Sequence, residues 1–197
     1  VRQQRDLLGA HIQDATNAPP QTLQTASLTQ PLQQCRDSLV AVGLNAIANG
    51  KLLDLLRRLD SFGTHLVTLD VRQESTRHSD VIGEITSALG LGDYRAWSEE
   101  DKQTFLNKEI DNPRPLLPLA FEASAPCQEV IETFRTIAET PREALGCYVI
   151  SMASEPSDVL AVQLLLKATG GPVDLPVSPL FETLDDLDGA PATLDAL

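Results

Sequence analysis

Two charged residues stand where short β-prone runs of the sequence end. Arg72 follows the run 66–71, and Glu182 follows the run 175–181. In parallel α/β sheets and barrels, the loops at the carboxyl ends of the strands gather the catalytic groups. An arginine can hold a carboxylate or phosphate through two parallel hydrogen bonds, and a carboxylate with substrate oxygens is a common ligand set for magnesium. The two residues therefore indicate a site for an anionic, phosphate-bearing substrate.

The same residues allow a simpler interpretation. Arg72 has several acidic neighbours in sequence, from Asp70 to Asp80, and could form only surface ion pairs with them. Glu182 begins an acidic cluster of the kind that a helix N-terminus favours electrostatically. The cluster comprises Glu182, Asp185, Asp186 and Asp188. Residue type and spacing alone leave both interpretations open.

The elements that would position these residues alternate between strands and helices. Three β-prone runs lie near residues 65–71, 146–152 and 175–181. Apolar side chains recur at helical spacing between them, most clearly over 76–89 and 158–169. Strand, helices, strand, helix, strand is the order that gives neighbouring parallel strands through right-handed crossovers. The pattern therefore predicts a helix-rich α/β fold.

We expect residues 61–197 to hold only part of a parallel sheet. Three strands leave at least one sheet edge open, and the chain stops at Leu197 soon after a further helix begins. The N-terminus has neither a starting Met nor an apolar signal segment, which favours a chain that begins within a longer protein. A truncated sequence is the simplest expectation.

Residues 1–60 are expected to form a separate helical segment. A stretch rich in Gln, Thr and Pro over 15–34 lacks a sustained apolar period and predicts a surface loop. Helical spacing of leucine and other apolar residues then predicts helices over 35–49 and 51–60.

Composition excludes several classes of function. The formal net charge of -13 repels nucleic acid and anionic membrane surfaces, whereas a few clustered arginines with a divalent cation can still bind a small anion. No run of eighteen apolar residues could span a membrane. The three cysteines are odd in number and form no CxxC pair, so we expect reduced thiols in a cytosolic protein and no zinc site.

Several long stretches of the sequence carry a more specific signal, and one of them includes Arg72 while another includes Glu182. The stretches are residues 69–78, 114–118, 148–153, 156–162 and 179–187. In register from about Cys35 to Leu187, they resemble the phosphoenolpyruvate carboxylase family. Such motifs in the same order are far more specific than any short pattern.

The resemblance implies an enzyme that carboxylates phosphoenolpyruvate with bicarbonate to give oxaloacetate and phosphate. Its fold would be a TIM-type barrel of eight parallel strands with flanking helices, of which this chain supplies three strands. Arg72 would contact the phosphate or carboxylate of the bound anions, and Glu182 would coordinate Mg2+ or Mn2+. The family also implies a cytoplasmic homotetramer. Metal and arginines would act chiefly by stabilising developing negative charge.

By the same resemblance, the family's catalytic histidine lies upstream, and its second metal carboxylate, lysine and glycine-arginine loop lie downstream. The isolated chain is therefore expected to be inactive, with no catalytic residue assigned within it. His78 would then be a solvated residue in the first turns of a helix. Two alternatives remain, namely a non-catalytic relative that keeps the fold as an interaction protein and another barrel enzyme acting on phosphorylated keto acids.

Overall fold

The structure is a computed structural model, and it describes residues 24–117 and 121–197. Contacts between Cα atoms divide the chain into two compact units, Val1–Thr68 and Leu69–Leu197. The candidate residues Arg72 and Glu182 both belong to the second unit.

The described part of the first unit is helical. Its helices are α1 (Thr25–Ala41), α2 (Asn45–Ala48) and α3 (Lys51–Phe62). The predicted surface loop over 15–34 is therefore wrong from Thr25 onward, and its earlier residues lie outside the described ones. The helix predicted over 35–49 is the end of α1 followed by α2, with a break at Gly43, whose φ is +80°.

The first part of α1, before Cys35, escaped detection because its residues are mostly polar and show no sustained apolar period. A helix without an apolar stripe gives no amphipathic periodicity to detect. Its polar side chains bond to nearby carbonyls instead: the Thr29 hydroxyl donates to the Thr25 carbonyl at 3.2 Å, and the Ser27 hydroxyl donates to the Gln24 carbonyl at 2.7 Å. The helix also accommodates Pro31.

The second unit alternates strands and helices, as the sequence predicts. Two short 3-10 turns, Tyr94–Ala96 and Arg142–Ala144, lie among them. The regular elements are β1 (Leu69–Glu74), α4 (Ser75–Ala88), α5 (Glu99–Asp111), α6 (Ala125–Glu139), β2 (Leu145–Ser151), α7 (Pro156–Thr169), β3 (Val177–Pro179) and α8 (Leu184–Asp195).

The three strands form one sheet in the order β1-β2-β3, and both neighbouring pairs are parallel. Arg72 lies opposite Val149 in the first pair. The helix-rich α/β class with a parallel sheet is thus confirmed. Strand β1 starts and ends later than predicted, so Arg72 lies within it rather than after it.

The core of the second unit lies between the sheet and its helices. Helix α7 is apolar on nearly all sides and buries nine of its residues, which is typical of a helix enclosed by other elements. The Phe134 ring of α6 stacks on the Tyr148 ring of β2, with centroids 5.2 Å apart and planes 16° apart. This stacking joins a covering helix to the central strand.

His78 is buried, which corrects the prediction that it is solvated. Its side chain is 0 % exposed, and its Nε2 atom lies 2.8 Å from the Tyr148 hydroxyl oxygen. Desolvation, followed by the positive charge of Arg77, lowers the pKa of His78 to about 4. The imidazole is therefore neutral near pH 7 and forms part of the core.

Side chains cap the starts of two helices in the second unit. Ser98 caps α5, since its hydroxyl accepts a hydrogen bond from the Asp101 amide at 3.2 Å. Glu155 caps α7, in which Ser157 is the second residue. No helix among the described residues is long and apolar enough to cross a membrane.

Candidate active site

Arg72 and Glu182 meet at the carboxyl edge of the sheet. Arg72 is near the end of β1, and Glu182 lies three residues beyond Pro179, the last residue of β3. The Arg72 Nη2 atom donates to the Glu182 Oε1 atom over 3.2 Å. Because all three strands are parallel, residues 110 positions apart in sequence are brought to one edge.

The other oxygen of Glu182 is held by the backbone of the segment that follows β2. The Met152 amide donates to Glu182 Oε2 at 2.9 Å. Each carboxylate oxygen thus accepts one hydrogen bond and keeps a further lone-pair direction. The carboxylate is fixed by a strand on one side and by a turn on the other.

Met152 has an unusual backbone conformation, with a φ of +55°. A bulky side chain rarely adopts this left-handed region, because its Cβ atom approaches the following carbonyl oxygen. The Met152 carbonyl accepts a hydrogen bond from the Ser75 hydroxyl at 2.8 Å. Both backbone polar groups of Met152 are therefore engaged at the carboxyl edge.

The acidic residues after Glu182 have a different role. The Thr183 hydroxyl accepts from the Asp186 amide at 3.1 Å, and Asp186 Oδ2 accepts from the Thr183 amide at 3.0 Å. This reciprocal capping box begins α8, and hydrogen bonding to Thr183 lowers the pKa of Asp186. The position of Asp186 is thus explained by its role at the helix N-terminus. Glu182 precedes the helix and is part of the candidate site with Arg72.

Comparison with known proteins identifies the family. A family model described as phosphoenolpyruvate carboxylase matches residues 2–197. The chain belongs to the phosphoenolpyruvate carboxylase family. Phosphoenolpyruvate carboxylase of Yersinia pseudotuberculosis serotype O:1b is 57% identical over 185 residues, which are 93% of this chain and 21% of that protein. The Serratia proteamaculans carboxylase is 61% identical over 163 residues, which are 83% of this chain and 19% of that protein.

The chain thus spans about one fifth of the length of these carboxylases.

The ion pair at the candidate site is accessible to solvent: the Arg72 side chain is 61% exposed and the Glu182 side chain is 35% exposed. Exposed ion pairs of this kind contribute about 0–1 kcal/mol to stability. Arg72 offers five N–H donors, and its hydrogen bond to Glu182 uses only one of them. The pair can therefore rearrange to bind a ligand with little loss of stability.

Family membership implies a divalent cation, and the donor groups at the candidate site match part of the ligand set that such a cation needs. Mg2+ binds oxygen ligands and typically takes one or two carboxylates together with waters and substrate oxygens. Glu182 supplies one such carboxylate. No group of three or more His, Cys, Asp or Glu residues that could hold a metal occurs within 24–117 and 121–197.

Sequence patterns pointed to Arg72 and Glu182, but not to the hydrogen-bonded role of Met152 and Ser75. Met152 is not a residue type that predicts a left-handed backbone, and its contribution comes from the main chain. The usable signal was position, since Ser75 and Met152 each follow a strand directly. Residues at that edge of a parallel sheet are candidates whatever their type.

Proposed function

We propose that this chain is part of a phosphoenolpyruvate carboxylase, a carbon-carbon lyase that forms oxaloacetate and phosphate from phosphoenolpyruvate and bicarbonate. Family membership supports the reaction class. The observation that carries the site assignment is the 3.2 Å contact between Arg72 and Glu182 at the carboxyl edge of the sheet. One cationic and one anionic group there match the needs of a phosphate-bearing substrate and its counter-cation.

Arg72 is proposed to bind the phosphate or carboxylate of phosphoenolpyruvate. Its guanidinium is permanently charged and carries donors in a planar fork, which suits two parallel hydrogen bonds to either group. The exposed 61% of its side chain leaves donors available beside the Glu182 contact. Such a positive charge stabilises negative charge that develops on the substrate during reaction.

Glu182 is proposed to be a ligand of Mg2+ or Mn2+. The Met152 amide and Arg72 each engage one of its oxygens, so the carboxylate is oriented before a cation arrives. A bound cation would supply Lewis-acid polarisation of substrate oxygens. Within the chain, the contribution of Glu182 is to provide a fixed anionic oxygen at the strand edge.

The remaining architecture follows from the family. The three-stranded sheet is proposed to be part of a TIM-type barrel formed by residues 61–197 together with further sequence, and residues 1–60 are proposed to form a separate helical segment. The chain alone is expected to be inactive, because the other catalytic groups of the family lie outside it. We place the complete enzyme in the cytoplasm as a homotetramer.

The test uses a complete carboxylase that carries this segment in place of the matching segment of the Yersinia pseudotuberculosis protein. Glu182→Gln is expected to abolish metal-dependent oxaloacetate formation. Arg72→Ala is expected to lower kcat/KM for phosphoenolpyruvate by about 10²- to 10³-fold, the usual effect of removing one charge-stabilising donor. Oxaloacetate is measured by coupling to malate dehydrogenase.

A matched control lies near the opposite edge of the sheet. Arg142 Nε and Asp174 Oδ2 are also 3.2 Å apart, just before the starts of β2 and β3. Asp174→Asn removes a comparable exposed charge and is expected to leave turnover within about twofold. Near-normal turnover by the Glu182 or Arg72 variant would refute the assigned role. Loss of turnover in the Asp174 variant would show that the assay reports stability rather than the site.

A further inference from the structure

A short hydrogen-bonded chain crosses the carboxyl edge of the sheet. The Ser75 hydroxyl donates to the Met152 carbonyl at 2.8 Å, and the Met152 amide donates to Glu182 Oε2 at 2.9 Å. Ser75 directly follows β1, Met152 directly follows β2, and Glu182 follows β3 by three residues. These two hydrogen bonds thus link the ends of all three strands.

Ser75 is placed for this contact and not for capping its own helix. It is the first residue of α4, after the N-cap residue Glu74, and its hydroxyl is directed to a carbonyl 77 residues away. The residue is buried, with 6% of its surface exposed. A buried hydroxyl with a long-range partner fixes that partner more firmly than an exposed one, because water does not compete.

Met152 transmits this constraint through its main chain. Its φ of +55° is one of two positive values among the described non-glycine residues. A left-handed residue of this type persists only when its surroundings hold it. The Ser75 hydroxyl and the Glu182 carboxylate are the two hydrogen-bond partners that the structure shows for the Met152 backbone. The side chain itself is 52% exposed, so packing holds it only in part.

We propose that Ser75 and the Met152 backbone are positioning elements that set the orientation of the Glu182 carboxylate for its divalent cation. This inference rests on the proposed function of Glu182. A flexible glutamate held at one oxygen by Arg72 alone could turn about that contact, whereas the Met152 amide fixes the second oxygen. Groups that orient a metal ligand typically change metal affinity 10- to 100-fold when removed.

The test measures binding of Mn2+ to the complete enzyme without substrate, using electron paramagnetic resonance of the free ion. Ser75→Ala is expected to weaken Mn2+ binding by about tenfold. Ser75→Thr keeps a hydroxyl and is expected to restore most of the affinity. Thr76→Ala is the control, since the Thr76 hydroxyl donates to the carboxylate of Glu74, two residues earlier, and not to Met152. It is expected to leave Mn2+ binding unchanged.

Two Met152 variants separate backbone conformation from the side chain. Both Met152→Gly and Met152→Val remove the thioether, but only glycine adopts a positive φ readily. The glycine variant is expected to bind Mn2+ within about threefold of the parent, and the valine variant about tenfold more weakly. Equal affinities of these two variants would overturn the inference. This pair decides the question if Ser75→Ala does not fold.

Glu182→Gln distinguishes failure of the inference from failure of the proposed function. If this variant binds Mn2+ as the parent does, Glu182 is not a metal ligand and both proposals fall. If it loses Mn2+ binding while Ser75→Ala and Met152→Val retain it, the metal role stands and the positioning role is refuted. The expected result is weaker Mn2+ binding in all three variants.

Discussion

Burial of His78 predicts a defined loss of stability in mild acid. The imidazole is 0% exposed and its pKa is lowered from 6.5 to about 4, mainly by desolvation. Above pH 6.5 the residue is neutral in both folded and unfolded chains and has no effect. As the pH falls below 6.5, the unfolded chain takes up the proton first, so the folded state loses stability.

The size of this effect follows from the two pKa values. A tenfold change in proton affinity is worth about 1.4 kcal/mol, so the interval from 6.5 to about 4 corresponds to roughly 3 kcal/mol. The loss should reach about 1.4 kcal/mol at pH 5.5 and roughly 2.5 kcal/mol at pH 4.5. It is complete below the folded-state pKa, near pH 4.

The measurement is urea denaturation of the chain at pH 7.5, 6.5, 5.5 and 4.5, with unfolding monitored by tryptophan fluorescence. Trp97 is the only tryptophan and packs against the Phe105 ring at 5.2 Å, so it reports on the second unit. His78→Gln replaces the imidazole with a polar group that does not titrate. The difference in unfolding free energy between parent and variant isolates the titration of His78.

Tyr148→Phe provides the control. It removes the hydrogen bond to His78 at a cost of about 1 kcal/mol at every pH but leaves the imidazole buried. Its stability should therefore fall with acid as steeply as that of the parent. The reasoning would be refuted if the difference in unfolding free energy between the parent and His78→Gln stayed constant from pH 7.5 to 4.5. That result would mean that His78 protonates equally in folded and unfolded chains.

Three further predictions concern stability and use the same denaturation assay. Ser98→Ala removes the α5 cap and should cost about 1 kcal/mol, whereas Ser98→Thr, which keeps a hydroxyl for both contacts with Asp101, should cost less. Phe134→Ala removes a ring stacked on Tyr148 in the core and should cost about 3–5 kcal/mol; a cost under 1 kcal/mol would contradict the packing. Gly170→Ala, at a φ of +77° with open space around the added Cβ, should cost about 1 kcal/mol through backbone strain alone, and Gly170→Asn less.

Hydrophobic periodicity predicted the helices that carry recurring apolar side chains and missed the polar first part of α1. The helix over Lys51–Phe62 has an apolar stripe although it buries no side chain, and it was predicted to within two residues of its observed end. The helices predicted over 76–89 and 158–169 match α4 and α7 equally closely. The first part of α1 is polar and was mistaken for a loop, because no apolar period marks its residues.

His78 shows a different kind of error, since the signal was present. Val81 and Ile82 lie three and four residues further along α4, so residue 78 falls on the same face as these buried side chains. The imidazole was assigned to solvent because the family resemblance gave it no catalytic role. Helical position was the better guide, because a histidine can be buried when it is neutral and hydrogen-bonded.

The meeting of Arg72 and Glu182 was predictable from topology, but the way Glu182 is held was not. Parallel strands bring their carboxyl ends to one edge of the sheet whatever the loop sequences are. This topology predicts that Arg72 and Glu182 lie near each other, but it does not predict their hydrogen bonds. The carbonyl of Met152, in its left-handed turn, accepts a hydrogen bond from a hydroxyl 77 residues earlier in the chain, and no local pattern encodes such a contact.

The energetics of this edge favour a functional origin for its geometry. The exposed pair of Arg72 and Glu182 contributes about 0–1 kcal/mol to stability, while a left-handed conformation at a residue such as Met152 costs roughly 1–2 kcal/mol. A strained turn that serves only to orient an exposed carboxylate is therefore not explained by stability. Strain of this kind concentrates where a site must be preorganised, which is the role proposed for Ser75, Met152 and Glu182.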